Sequence, residues 1–550
     1  ARLDEHTTMP ARDSTGAGYT TITLSWADRA PALKASAQIE RHGFMKRKLT
    51  RAVRMRQSGG ACTRLLKLRQ LARRFPTLMS QLVFGIRTSF TLCALLVALL
   101  APVATQAQAT IAFVDVSVIP LDRERMLEHQ TVVVRDDRIV AFGAVAATPV
   151  PPGATRIDGR GKFLMPGLAE MHAHVVSGAN PNHEQVNRDI LFLYVANGIT
   201  SIRAMLGAPN QLPLREQLRR REVLGPTMYV SAPSLNGNSA PNPDTATKLV
   251  RAHKTAGYDF LKIHPGLSRE TYDAIAHTSR EVDITWAGHV PLAVGLKRAI
   301  DVRQSTVDHL DGVLEASVPE AVASRIASGD VGLAELVNSV DASRFPAIAN
   351  DLRTAGTWNV PTMLVWENLY TQSETPEAMG LRDEMKYWPR QAVANYVNQK
   401  RNSVAQQQSQ GVTAEIAAKY LSLRREALKA VADAGAPLLM GTDSPQLFMV
   451  PGFALHRELG IVAAAGVSPY RIYESGAKNV ARYVAEQLKQ DGRFGTVAVG
   501  NRADLVLLDA NPLQSVANLT KRAGVMVKGR WVPAAEIDRG LAELSERYGR

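Results

Sequence analysis

Eight short apolar runs, separated by stretches of helical period, fill the middle of this chain. They read GLAEMHAHV, GITSIRAM, PTMYVSA, YDFLKIH, DITWAGHV, STVDHL, NVPTMLVW and APLLMGTD, and lie between Gly167 and Asp443. Apolar strands that alternate with helices build parallel β/α units, because a parallel pair needs a crossover long enough to hold a helix. Eight such units are the number that closes a barrel. Helix starts punctuate the pattern: Ser268 precedes RETYDAIAHTSREV, and Ser468-Pro469 opens YRIYESGAKNVARYVAEQL.

On both sides the period changes to two. TIAFVDVSVIP, QTVVVRDDRIVAFG and TRIDGRGKFLMPG precede the barrel pattern, and GTVAVGNRADLVLLDANP and AGVMVKGRWVP follow it. The expected fold class is therefore α/β: a (β/α)8 TIM barrel over residues 166–493 with a small β-sandwich domain built from both ends, 110–165 and 494–533. A helical tail over 534–550 completes the chain. One connection is unusually long. Residues 366–434 carry Trp366, Tyr370, Tyr387, Trp388 and Tyr396, and are read as a helical insertion. It would serve as a lid over the barrel mouth, as a contact between copies in a homo-oligomer, or as extra covering helices.

The net charge of +14 over 550 residues points to an anionic partner until its distribution is read. Residues 1–109 hold 17 Lys+Arg against 5 Asp+Glu, and the remainder holds 48 against 46. The globular part is nearly neutral, so no nucleic-acid partner is expected. From Met79 the chain shows Arg87, a 14-residue apolar run from Phe90 to Val103, and Ala107-Gln108-Ala109. This is the pattern of a cleaved signal peptide over 79–109, too short to span a bilayer, which needs ~20 apolar residues. The expectation is a secreted or periplasmic protein with no stable membrane span, preceded by a basic disordered extension over 1–78. Both cysteines, Cys62 and Cys93, precede the cleavage point; disulfides and a thiol nucleophile drop out of consideration.

Polar residues stand at the ends of the apolar runs, where barrel enzymes place their chemistry. His172 and His174 are two apart, a spacing that puts both on one face of a strand. His289 ends ITWAGH, His309 ends STVDH and Asp443 ends PLLMGTD. Imidazoles with a carboxylate suit zinc or another borderline divalent ion. In DFLKIH the alternation directs Lys262 inward, where a lone ammonium is costly. Three states relieve that cost: an ion pair with a carboxylate, an amine of depressed pKa, or a carbamate formed with carbon dioxide that bridges two metals.

FLMPGLAEMHAHV, DFLKIH, AGHVP, VDHLDG, LLMGTDS and FGTVAVGNRADLVLLDANPL together resemble the amidohydrolase superfamily, in particular its imidazolonepropionase-like and prolidase-like members, from about Thr110 to Val532. The resemblance implies that His172 and His174 bind one metal and that Lys262, carbamylated, bridges to a second held by His289 and His309. Asp443 would ligate the first metal and act as the catalytic acid–base. The sequence departs from the prolidase-like pattern at the fifth strand. His289-Val290-Pro291 stands where those relatives have His-Ala-Tyr, so Tyr229 or His264 is expected to contact substrate instead. His183, His253 and His277 are read as surface or capping histidines, and His456, which follows the eighth strand, as structural rather than a residue of the mouth.

The expected activity is binuclear, metal-dependent hydrolysis of an amide C–N bond in a small molecule or peptide, a dipeptide or N-acyl amino acid. A lactonase or esterase on the same metals, or a non-catalytic assembly protein on the same barrel, are the alternatives.

Overall fold

A computed structural model describes residues 110–178 and 182–549. The expected extension over 1–78, the signal segment over 79–109 and both cysteines lie outside the described residues.

The chain begins with β1 (Thr110–Val118), β2 (Leu127–Arg135), β3 (Arg138–Ala144), β4 (Thr155–Asp158) and β5 (Phe163–Pro166). Then come β6 (Leu168–Ala173), β7 (Ile199–Ala204), β8 (Thr227–Val230), β9 (Phe260–Ile263), β10 (Thr285–Gly288), β11 (Thr306–Asp308) and β12 (Trp358–Val360), with helices between them. The last three strands are β13 (Leu505–Leu508), β14 (Arg522–Val527) and β15 (Arg530–Pro533).

The terminal strands form one eight-stranded sheet in the order β15-β14-β13-β5-β1-β2-β3, with β4 paired to β1. Its seam is the antiparallel ladder of β13 on β5, from Leu505 opposite Pro166 to Leu508 opposite Phe163. Apolar side chains from both ends of the sequence meet there, among them Phe113, Val132, Leu164, Leu505 and Met526. Because β5 ends two residues before β6, this sheet anchors the start of the parallel strands.

The middle strands are parallel: β6-β7-β8 in one sheet and β9-β10-β11-β12 in another. Ser231 bridges to Phe260 between the two. In β6, β7 and β9 every residue is buried, the polar ones included, as in parallel strands covered on both faces. The eighth expected strand, APLLMGTD, differs from the others. It forms no continuous ladder: isolated bridges join Asn359 to Leu438 and Ala173 to Ser444, with backbone hydrogen bonds such as Leu439 N to Asn359 O and Met171 N to Met440 O beside them. Its ladder is broken because the N–H of Thr442 donates to the carboxylate of Glu170 at 2.8 Å and so is lost to the backbone.

Against this apolar frame stand a few fully buried charges. Glu170, Arg203, Lys262 and Asp308 are each 0% exposed. Arg203 satisfies itself across four elements: Nε donates to Met171 O at 2.7 Å, Nη1 to the Tyr483 hydroxyl at 3.0 Å, and Nη2 lies 3.2 Å from Asp308 Oδ1. Its guanidinium also lies over the rings of Phe260 and Tyr483.

The segment 366–434 is helical, as expected. Helices Met363–Tyr370, Pro376–Gly380, Arg390–Ser409 and Ala414–Asp433 make it up. Trp366, Tyr370 and Tyr420 pack edge and face against one another.

Arg203→Met would leave Asp308 buried without its cation, and is expected to destabilise the protein by about 3–5 kcal/mol. Urea denaturation reads this directly; a loss below about 1 kcal/mol would mean that the pair does not hold these strands together.

Candidate metal and active site

At the end of β6, His172 within it and His174 just beyond reach one carboxylate. His174 Nε2 lies 2.5 Å and His172 Nε2 3.4 Å from Asp443 Oδ1. The i, i+2 argument is incomplete, because β6 shifts register against β7 between Glu170 and Ala173, and such an irregularity re-aims the side chains beside it. Lys262 Nζ lies 3.3 Å from His172 Nε2. The remaining rings continue as a train: His172 to His309 at 4.6 Å between centroids, His309 to His289 at 4.5 Å, and His289 to His264 at 5.0 Å. His172, His174, Lys262, His289, His309 and Asp443 are thus brought together, with His264 at the end of the train.

Tyr229 is not. It packs among Met171, Phe260, Ala287 and Trp358, and its hydroxyl faces Arg502 at the sheet side. Burial pushes that hydroxyl up to about 12. The expectation of a substrate contact there is corrected: the strand places Tyr229 a layer below the histidines. His456 is buried beside Arg522, as a structural residue would be.

Backbone conformation marks the site. His309, Thr362 and Asp443 adopt positive φ of 62°, 46° and 72°, a costly region for such residues that persists where surrounding bonds impose it. Here His309 N donates to Val360 O at 2.7 Å and Asp443 N to His172 O at 2.8 Å. Gly288 has φ +122°, and a Cβ there would come within 2.6 Å of Ile263 O and 3.0 Å of Lys262 Cδ. Only glycine lets the lysine stem pass.

Burial, helped by the Lys262 cation, holds His172 and His264 well below the ordinary imidazole range; burial and His289 do the same for His309. These rings are neutral at pH 7, the state in which imidazole binds metal. Burial also holds the Lys262 amine below the usual lysine value, against the pull of Asp308 and Asp443. Burial alone would raise Asp308, but Arg203 and Lys262 outweigh it and the group lies below the carboxylate range.

The outer nitrogens of the rings are engaged. His289 Nδ1 lies 2.8 Å from Asp311 Oδ2 and His309 Nδ1 2.7 Å from Thr362 Oγ1. His172 Nδ1 lies 2.9 Å from Asp308 Oδ2, out of line for a hydrogen bond. Such partners orient metal-binding histidines. His309 Nε2 is buried with no hydrogen-bond partner, a costly state for a polar atom unless a cation takes its lone pair. His172, His309 and Asp443 each offer a ligand atom, and these atoms lie within 4.8 Å of one another. The group could hold a metal ion, and its nitrogen and carboxylate donors fit a borderline divalent cation.

Sequence reasoning missed the supporting residues. Asp308 and Asp311 flank His309 within VDHLDG, yet each serves a different histidine, one on β6 and one after β10. Glu170 accepts from His172 N at 3.0 Å and from Thr442 Oγ1 at 2.7 Å, tying β6 to the turn before Asp443. Burial raises Glu170 to about 8 and Glu458 to about 7.

The sequence profile of the amidohydrolase family matches residues 163–532. The imidazolonepropionase of Mycolicibacterium smegmatis (strain ATCC 700084 / mc(2)155) is 36% identical over 74 residues, 14% of this chain and 18% of that protein. The match therefore spans a minor part of that curated relative's length. A solved bottromycin amidohydrolase superposes with TM-score 0.61 at 20% identity, over 80% of this chain and 91% of that one. A Xaa-Pro dipeptidase with bound methionine in its active site gives 0.56 at 15% identity, over 77% and 100%. These likenesses show a TIM-barrel-like α/β fold.

With metal chelated, Glu170 should make stability fall as pH rises. The folded state keeps its proton up to about pH 8, whereas the unfolded chain releases it near the ordinary glutamate value, so unfolding sheds a proton throughout that window. Between pH 6.5 and 7.5 wild type should lose about 1.4 kcal/mol per pH unit more than Glu170→Gln. Denaturation midpoints at matched pH measure the difference; parallel slopes would refute the assignment.

Proposed function

The chain belongs to the amidohydrolase family, and from that membership we propose that it is a binuclear metal-dependent hydrolase cleaving the C–N bond of a dipeptide or N-acyl amino acid. The observation that carries this reading is the gathering of six side chains from five segments of the barrel, with His172 and Asp443 closest to the buried, unpartnered His309 Nε2. His172, His174 and Asp443 would hold one ion, and His289 and His309 the other. Lys262, as an uncharged amine, would add carbon dioxide and release a proton, leaving a carbamate able to span both. The parallel pairings that run from β6 through Ser231–Phe260 to Asn359–Leu438 and Ala173–Ser444 support a closed eight-unit barrel with the site at the carboxyl ends of its strands.

Two divalent ions, zinc on this donor set, supply a water of lowered pKa and a polarised carbonyl when bound. The chain's own groups do the rest. Asp443 is the carboxylate shared by His172 and His174; it accepts the proton of the attacking water and passes it to the leaving nitrogen. Asp311, an acceptor, places the proton of His289 on Nδ1 and leaves its other nitrogen free, and Thr362 holds the His309 ring in position. Asp308, held by Arg203, supplies negative charge beneath His172. The Arg87 to Ala109 signal pattern supports action outside the cytoplasm.

Metal analysis of protein purified with bicarbonate should find two ions per chain, with hydrolysis of some member of a dipeptide and N-acyl amino acid panel. Asp443→Asn should lower kcat by about 10²–10⁴-fold. Under one ion per chain with no hydrolysis would reject the reading, and Lys262→Ala at full metal content and rate would remove the carbamate from it.

A further inference from the structure

Beside His289 opens a cavity of about 260 Å³ that none of His172, His174 and Asp443 lines. Leu267, Leu292, Leu310 and Leu314 form its apolar wall, and Trp366 and Arg424 reach it from the 366–434 segment. Arg424 is 4% exposed. Its Nη2 donates to the carbonyl of His309 and its Nη1 to the Tyr420 hydroxyl at 3.2 Å, while the guanidinium lies 4.3 Å from the centre of the Trp366 ring. All these hydrogen-bond partners are neutral, and the Glu458 carboxylate feels the Arg424 charge. Its Nε and the Trp366 Nε1 are both buried without a hydrogen-bond partner.

A buried cation whose hydrogen-bond partners are all neutral is costly, and so is each unmade hydrogen bond, even with Asp311 and Glu315 elsewhere on the cavity wall. A carboxylate in the cavity would relieve both at once. An apolar cavity of about 150 Å³ already accepts benzene, so the larger volume takes a branched aliphatic or phenyl side chain together with that carboxylate. The contact would also come from a different element than the tyrosine that His289-Val290-Pro291 lacks.

We propose that this cavity is the subsite for a substrate carboxylate and the apolar side chain next to it, with Arg424 and Trp366 as donors and the four leucines around the side chain. The inference rests on the amide-hydrolase reading and narrows it: the substrate is an N-acyl or peptidyl amino acid with a free carboxylate and a leucine-sized side chain.

Calorimetric titration of the metal-loaded protein with N-acetyl-L-leucine and with its carboxamide separates recognition from turnover. Wild type should bind the carboxylate at least about tenfold more tightly, and Arg424→Met should abolish that preference. Because Arg424 also holds the His309 carbonyl, Leu314→Trp is the second variant. It should lose N-acetyl-L-leucine and retain N-acetylglycine. Equal affinity for carboxylate and carboxamide in wild type would overturn the proposal. So would tighter binding of cationic leucinamide, which Glu315 on the cavity wall would favour. A carboxylate preference that survives Arg424→Met, as direct coordination to metal would give, or unchanged N-acetyl-L-leucine binding in Leu314→Trp, would overturn it too. Carboxylate-selective binding without turnover of any amide would keep the subsite and reject the hydrolase reading; turnover indifferent to the carboxylate would do the reverse.

Discussion

The ion pair between Arg203 and Asp308, with both side chains fully buried, is the constraint from which the site is built. A guanidinium in the interior must satisfy its donors locally, and Arg203 does so by joining β6, β7, β11 and the helix Lys478–Gln487. The carboxylate it holds then lies against His172. Without the cation, Asp308 in this apolar layer would take up a proton or turn toward water, and the ring above it would lose its footing.

The same burial that makes this pair obligatory sets the chemistry above it. Imidazoles kept out of water stay neutral, which is the form a cation can use. Lys262 sits among them with its amine held below the usual lysine value by burial, against the pull of Asp308 and Asp443. Asp443 brings negative charge to the centre of the site, Asp308 and Asp311 hold it behind the rings, and the imidazoles offer lone pairs. That division suits a cluster of cations better than any arrangement of ion pairs among the side chains themselves.

The helical segment over 366–434 is tied to the site on its inner side. The carboxylate of Glu458 accepts the N–H groups of Met363 and Leu364 at 2.8 and 2.7 Å, fixing the start of the helix directly after Thr362. Thr362 orients His309, Trp366 follows one turn later, and Arg424 returns from the last helix to the His309 carbonyl. One contiguous stretch of sequence thus supplies both an orienting group for a candidate ligand and the wall of the neighbouring cavity.

By itself the sequence determined the alternation of strands and helices, the sheet made from both ends, and the six polar residues at strand ends. Apolar period and the rarity of a histidine, lysine or aspartate closing an apolar run are local signals that survive without coordinates. Only the tertiary structure decided which partner each of them has. Asp308 and Asp311 sit three residues apart yet orient histidines on different strands; Glu170 is one more residue of a buried strand until Thr442 meets it; Tyr229 looked like a mouth residue until its layer was known. The irregular eighth segment was equally hidden, since it arises from a carboxylate 272 residues away that captures one backbone N–H. Hydrogen-bond and ion-pair partners depend on distances across the barrel, and no local period in the chain encodes them.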